Sequence, residues 1–236
     1  MAEVLLTIDT CSATGSVALS RGETLLGEVL THLPGTHTDR LLGSVRQLLE
    51  VSGLQMTDID GFGVVFGPGS FTGLRVGVAT VKGLSMATGR PIVGVSSLRT
   101  LALQAPFPSV PVWALLDARK KEVYAGCYHW QEGLPTLVGA EMVLPPERLL
   151  EQLQGEVLLL GDGALVYRSL FAGRLGTRAR FAPWALNFSR ASSAAVLALA
   201  DWRAGRALSP ELLNPYYIRP SEAEIACRKQ LPKPGF

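Results

Sequence analysis

The chain has 236 residues, 22 of them basic and 20 acidic, for a formal net charge of +2, and 47% of its residues are hydrophobic. Only 18% are charged, so the bulk of the chain is not intrinsically disordered. The length suits one large domain or two small ones and can bury a core without disulfides or metals.

Met1-Ala2-Glu3 runs straight into a strand-like segment, with no basic leader and no signal-type apolar core. A cytoplasmic protein is therefore expected. The most apolar late stretch, Ala194 to Ala200, is far shorter than the roughly 20 residues that span a bilayer, so no membrane partner is expected. Cys11, Cys127 and Cys227 are isolated, and no Cys-x-x-Cys occurs. Reduced thiols fit this pattern better than a disulfide framework or a zinc ribbon.

In chain order, Val4 to Asp9 reads as a strand ending in an acid, followed by a turn through Thr10-Cys11-Ser12-Ala13-Thr14-Gly15. Ser16 to Ser20 and Thr24 to Leu30 read as the next strands of an antiparallel meander. Thr36 or Thr38 can cap a helix running to about Val51, with Leu41, Leu42, Val45, Leu48 and Leu49 on one stripe. Phe62 to Phe66 reads as a buried strand, and Gly67 to Gly73 as a turn. A helix follows from about Leu74 to Thr88, and its apolar residues leave no clean polar face, so cover on more than one side is expected. Pro91 to Val95 is the next strand.

Pro106, Pro108 and Pro111 then mark a boundary, dividing the chain into lobes 1–105 and 106–236. The opening pattern recurs after it. Val112 to Asp117 is again a strand ending in an acid, followed by the charged turn Arg119-Lys120-Lys121. Strands are expected at Glu122 to Tyr128, near Thr136 to Met142, and at Val157 to Leu160, with a helix over Pro146 to Gln154. A glycine turn, Gly161-Asp162-Gly163, precedes another helix, and an Ala-rich helix spans about Ser192 to Arg203. The order βββαβα is thus duplicated. Two such α/β lobes side by side are the architecture of the two-lobed actin-like ATPase fold, shared with Hsp70 and sugar kinases, which binds nucleotide between its lobes.

The chemistry is sparser than that fold suggests. Gly67 and Gly69 allow close backbone approach, and Ser70 or Thr72 can cap the helix behind them, which makes an anion site at its amino end. The turn is neither a Walker A loop nor a dinucleotide fingerprint, and a well-capped strand-to-helix turn explains it equally well. In a nucleotide-binding reading, Asp9 helps hold a metal and Ser12 faces phosphate, with Asp117 as the opposing carboxylate. No glycine follows Asp117, however, and a bulky cationic turn cannot wrap a phosphate closely. His32, His37 and His129 are the only histidines and include no His-x-x-x-His, so no metal site is expected and His37 reads as a capping or surface residue. No nucleophile context stands out, so no catalytic residue is assigned. No acid occurs between Asp60 and Asp117, a span carrying Arg75, Lys82, Arg90 and Arg99, which suits either a buried segment or a surface that attracts polyanions.

The eleven residues Gly67-Pro-Gly-Ser-Phe-Thr-Gly-Leu-Arg-Val-Gly77 closely resemble the signature of the bacterial TsaB (YeaZ) family. Ile8-Asp9-Thr10, Leu116 to Arg119 with Glu122 to Tyr124, and Pro215-Tyr216-Tyr217-Ile218-Arg219 resemble it too, so the likeness covers nearly the whole chain. The resemblance implies a non-catalytic paralogue of the transferase TsaD that works in making threonylcarbamoyladenosine in tRNA, next to the anticodon. It implies pairing with a TsaD-like subunit, contact with a TsaE-like P-loop ATPase, and tRNA reached through the complex. It implies no cofactor of the chain's own, with ATP or ADP and Mg2+ at the interface of the complex. An older label for some members is glycoprotease-like peptidase, for which the chain offers no nucleophile or metal site. The family pairs through helices of its first lobe. Leu41, Leu42, Val45, Leu48 and Leu49 of one helix and Leu74, Val78 and Val81 of the next are the expected partner face, which would also form a homodimer when no TsaD is present. The alternative is a stand-alone actin-fold ATPase or kinase. The basic tail from Ser221, with Arg228, Lys229 and Lys233, matches no family motif.

Overall fold

A computed structural model describes residues 2–32, 37–105 and 108–219, with the side chains of 37–39 excepted. Thr36, the His37 and Thr38 side chains, Pro106 and the basic tail therefore lie outside the described residues.

Two five-stranded sheets form the frame. The first contains β1 (Val4–Asp9), β2 (Gly15–Arg21), β3 (Thr24–Thr31), β4 (Gly61–Gly67) and β5 (Ile92–Ser96), in the order β3-β2-β1-β4-β5. β2 pairs antiparallel with β1 and β3, while β4 pairs parallel with β1 and β5. The second contains β6 (Val112–Asp117), β7 (Val123–Gln131), β8 (Leu134–Leu144), β9 (Val157–Leu160) and β10 (Ala179–Phe181), in the order β10-β9-β6-β7-β8. Its pairings repeat those of the first, antiparallel for β6–β7–β8 and parallel for β6–β9–β10. The duplicated order expected from the sequence is present, and β10 adds a strand that the sequence reading does not place.

The helices follow less simply. α1 (His37–Ser52) joins β3 to β4, and α2 (Phe71–Thr88) joins β4 to β5. In the second half, α4 (Pro146–Leu150) is shorter than the pattern suggests, and α5 (Asp162–Val166) and α6 (Arg168–Leu175) stand where α2 stands in the first. α3 (Ser97–Leu103) is absent from the sequence reading, although Ser96 caps it by accepting from the Arg99 amide at 3.3 Å. Leu98, Leu101 and Ala102 form its apolar face and, with Ala105 just after it, pack among Val112, Ala114, Leu116 and Tyr128 of the second sheet. α7 (Ala191–Arg203) makes the reverse crossing. Ala194, Leu197 and Ala198 pack with Val65, Val93 and Val95 of the first sheet. The strands divide on either side of residue 105, but each half sends its last helix to the other half's sheet. Two buried faces are thereby shared across the lobes.

The chain after α7 crosses back. Leu208 exchanges backbone hydrogen bonds with Ile92 at 2.7 and 2.9 Å, and Lys82 Nζ donates to the Leu213 carbonyl at 3.0 Å. The Tyr216 amide donates to Phe66 O at 2.8 Å, and Ile218 packs against the second-lobe core. Residues 208–219 form a strap from the first lobe to the second.

Candidate functional site

The signature turn is built against the first turn of the chain. Ser70 is the N-cap of α2, its Oγ accepting from the Gly73 amide at 3.3 Å, and its own amide donates to Cys11 O at 2.7 Å. Thr10 Oγ1 donates to Gly73 O at 2.7 Å. A Cβ on Gly69 would lie 2.2 Å from Cys11 O, and one on Gly73 would lie 2.0 Å from Thr10 O. On Gly67, at φ +140, it would meet Tyr216 O of the strap at 2.3 Å. Backbone therefore occupies the space these glycines clear. Close approach is what the sequence suggests, but the approaching group is this chain's own β1 turn and strap and not a phosphate. Thr72 is exposed and does not cap the helix, since Ser70 fills that role.

Asp9 is 1% exposed at the end of β1. Its Oδ1 accepts from the Cys11 amide at 2.9 Å, and its Oδ2 accepts from Ser189 Oγ just ahead of α7. Buried carboxylates need such donors, and here they pin the turn to the crossing helix. Cys11 lies beside it, and burial together with the Asp9 charge pushes its thiol far above the usual range. Ser12 hydrogen-bonds to Thr14 within the turn, and Thr14 Oγ1 is 3.1 Å from His32 Nδ1. Ser189 is 180 residues from Asp9, and sequence spacing carries no signal of their contact.

The second lobe repeats the design with different residues. A Cβ on Gly161 would meet Leu115 O at 2.0 Å, and Asp162 Oδ1 accepts from the Asp117 amide at 2.9 Å. Burial, with the Asp117 charge nearby, raises the Asp162 carboxyl above its ordinary value. Asn187 Oδ1 accepts from the Gly161 amide at 2.8 Å. Asp117 engages Arg119 through the amide at 2.9 Å and through Nη1 at 3.3 Å. Arg119, Lys120 and Lys121 all have positive φ, at 60, 52 and 62°, a run that costs non-glycine residues about 1–3 kcal/mol each. The bonds Ala118 N to Glu122 O and Glu122 N to Arg119 O, both 3.0 Å, hold it. Arg219, at the end of the strap, donates to Ala118 O at 2.7 Å and to Glu122 at 2.8 Å.

The actin-like architecture implies nucleotide between the lobes, and these residues do not fit it. The first glycine cradle is filled by backbone, Asp9 is committed to its own turn, and the opposing turn carries three cationic side chains. Among the described residues no group of three His, Cys, Asp or Glu is placed to hold a metal ion. A cavity of about 400 Å³ lies elsewhere, between α7, the β2–β3 hairpin and Leu134, and none of the expected site residues lines it.

The expected partner face needs correction. Leu41, Val45 and Leu48 are 5, 3 and 3% exposed, and Leu74, Val78 and Val81 are 0, 4 and 0% exposed. Leu41, Val45, Leu48, Val78 and Val81 are packed with Leu6, Ile8, Val17 and Phe62, because a stripe at helical period first satisfies the lobe's own sheet. Leu49 is half-buried against the same core. Only Leu42, at 57%, faces out. α2 is likewise buried on one side only. Its open side carries Thr72, Arg75, Ala79, Gly83 and Met86, and Val51 at the end of α1 is 74% exposed.

Comparison with known proteins agrees with the fold and the signature. The family model of TsaD, tRNA N6-adenosine threonylcarbamoyltransferase, matches residues 33–227. The tRNA threonylcarbamoyladenosine biosynthesis protein TsaB of Bacillus subtilis is 32% identical over 93% of this chain and 96% of its own length. YeaZ from Pseudomonas aeruginosa superposes with a TM-score of 0.80 at 34% identity, covering 91% of this chain and 99% of that one. The activator of 2-hydroxyisocaproyl-CoA dehydratase from Clostridium difficile, at 11% identity and a TM-score of 0.51 over 91% of this chain and 99% of its own, shares the actin-like fold. The chain belongs to the TsaB family of tRNA threonylcarbamoyladenosine biosynthesis proteins.

Proposed function

We propose that this chain is a non-catalytic partner subunit in the threonylcarbamoylation of tRNA in the cytoplasm. It pairs with a TsaD-like transferase, is joined by a TsaE-like P-loop ATPase, and reaches tRNA through the complex. Family membership supports the pathway. The observation that carries the non-catalytic role is the filled cradle, where Cys11 O lies 2.2 Å from the place a Gly69 Cβ would take. The chain's own backbone fills the turn that the sequence offers as an anion site.

Pairing uses the open sides of α1 and α2, which touch one another. Leu42, Val51 and Met86, at 57, 74 and 71% exposure, supply the apolar contact, and Ala79 and Gly83 let a partner helix approach closely. The same face serves a homodimer when the transferase is absent. Any ATP or ADP with Mg2+ belongs to the interface of the complex and not to this chain alone.

The deciding experiment is nucleoside mass spectrometry on tRNA from cells depleted of the protein. Loss of threonylcarbamoyladenosine, restored by re-expression, is expected, and unchanged modification after complete depletion overturns the reading. Titration calorimetry of the isolated chain with Mg-ATP is expected to give no heat of binding. Micromolar affinity there would restore the stand-alone ATPase.

A further inference from the structure

The cavity beside α7 has no part in the proposed role. One wall is a second stripe of that helix. Ala194, Leu197 and Ala198 pack with the first sheet, while Ser192, Ala195, Val196 and Leu199, at helical spacing, line the cavity. The opposite wall is the β2–β3 hairpin. Ser16 Oγ accepts from the Ala191 amide at 2.7 Å, which puts Ser16 and, by strand alternation, Ser20 on the α7 side of the sheet. The register shifts between Leu19↔Gly27 and Ser20↔Leu25, and this bulge sets Leu25 opposite Ser20 on that same side. Leu134, at the start of β8, closes the third side, so both lobes contribute to the wall.

Two features of this lining go together. Ser20 is 6% exposed, and its buried Oγ has no hydrogen-bond partner among the described residues. An unpaired buried hydroxyl is destabilising. Because Ser20 borders the cavity, rotation about its one side-chain bond offers that hydroxyl to an occupant. The second feature is the charge at the rim. Arg203 is the one cation among the described residues that line the cavity, and it is held by Glu3 at 3.3 Å and Glu23 at 2.7 Å. Beside Ser192, Arg190 engages Glu28 at 3.5 Å. The guanidiniums at the rim are therefore already matched by carboxylates, which leaves no charge to balance an anionic head group.

We infer that this cavity is a binding site for a small, uncharged, apolar molecule that carries one hydrogen-bonding group of the hydroxyl kind. Its volume of about 400 Å³ falls in the range of small-molecule sites, which are mostly apolar with a few polar groups that fix orientation. The apolar body lies against Leu25, Leu134, Val196 and Leu199, and the polar group pairs with Ser20 Oγ. An occupant touches the first lobe through Ser20 and Leu25 and the second through Leu134 and α7, so it bridges the two. The inference goes beyond the proposed function and does not depend on it.

The test uses the full chain with straight-chain 1-alkanols as probes, followed by the methyl NMR signals of Leu25, Leu134, Val196 and Leu199. We expect 1-octanol to shift these signals and not those of Leu6 and Ile8 in the first-lobe core. Affinity is expected to rise about fourfold per methylene from 1-butanol to 1-octanol. Octanoate, with the same chain length and a charged head, is expected to bind at least about tenfold more weakly than 1-octanol. Ser20→Ala should weaken 1-octanol binding about threefold to tenfold, yet raise the melting temperature of the free chain by about 2–4 °C, because it removes an unpaired buried hydroxyl. Ala195→Leu fills the cavity from α7 and should abolish binding, and Ala200→Leu on the same wall gives that readout if the first variant does not fold. An absence of methyl shifts, shifts spread through the core, octanoate binding as tightly as 1-octanol, or a lower melting temperature for Ser20→Ala would each overturn the inference. So would loss of 1-octanol binding once the TsaD-like subunit is added, which would make the cavity a protein contact. None of these results touches the depletion experiment, so the inference can fail while the pathway assignment stands.

Discussion

Gly69 and Gly83 lie in and just behind the same signature, yet they do opposite things. A methyl group on Gly69 would press against the Cys11 carbonyl at 2.2 Å, and the backbone on both sides is hydrogen-bonded in place. Gly69→Ala is expected to cost about 2–4 kcal/mol in urea unfolding, as strain at an overdetermined position. Gly83 faces open space on α2, with nothing within 4 Å, so Gly83→Ala should stabilise the free chain by up to about 1 kcal/mol. If Ala79 and Gly83 admit a partner helix, the same substitution weakens pairing, and analytical ultracentrifugation with the TsaD-like subunit separates the two effects.

At the scale of the element, the question is which stripe of α1 and α2 faces inward. Val45→Asp places an unpaired charge in the core beside Leu6 and Phe62 and should unfold the lobe, visible as loss of the cooperative thermal transition. Leu42→Asp and Met86→Asp touch solvent-facing positions and should leave the melting curve in place while abolishing pairing. Periodicity made the stripe legible in the sequence, but not which side of a two-sided helix meets the sheet and which a partner. The strand order was legible because Asp9 and Asp117 close equivalent strands and Gly67 and Gly161 open equivalent turns. α3 was readable in principle from Ser96 and the spacing of Leu98, Leu101, Ala102 and Ala105. The Asp9–Ser189 contact and the path of the strap were not, because they join residues far apart in the chain through packing that local pattern does not encode.

At the scale of the whole molecule, Glu141 joins the lobes. Its Oε1 accepts from Tyr128 Oη of the second sheet at 2.6 Å and from Ser96 Oγ at the end of the first. Burial raises its carboxyl above the ordinary value, against the two hydrogen bonds that lower it. With a folded pKa above the unfolded one, the protonated form favours the folded state. This stabilisation is complete below the unfolded pKa, near 4.5, and is lost as pH rises through the folded value. Glu141→Gln keeps the acceptor and removes the titration. Chemical denaturation of both proteins between about pH 4 and 7 should show the wild type losing stability relative to the variant as pH rises. A constant difference would mean that Glu141 titrates normally.

The exchange of α3 and α7 between the halves has a consequence for how the chain is made. When the first sheet has left the ribosome, the face that Val65, Val93 and Val95 present to α7 has no cover, and its helix begins only at Ala191. The amino-terminal half therefore cannot mature while the rest is being synthesised. It must wait, apolar face open, until nearly the whole chain has emerged, which makes it a client for chaperones during translation. Residues 1–105 produced alone should be insoluble, and recoverable only by supplying the remaining residues in the same cell.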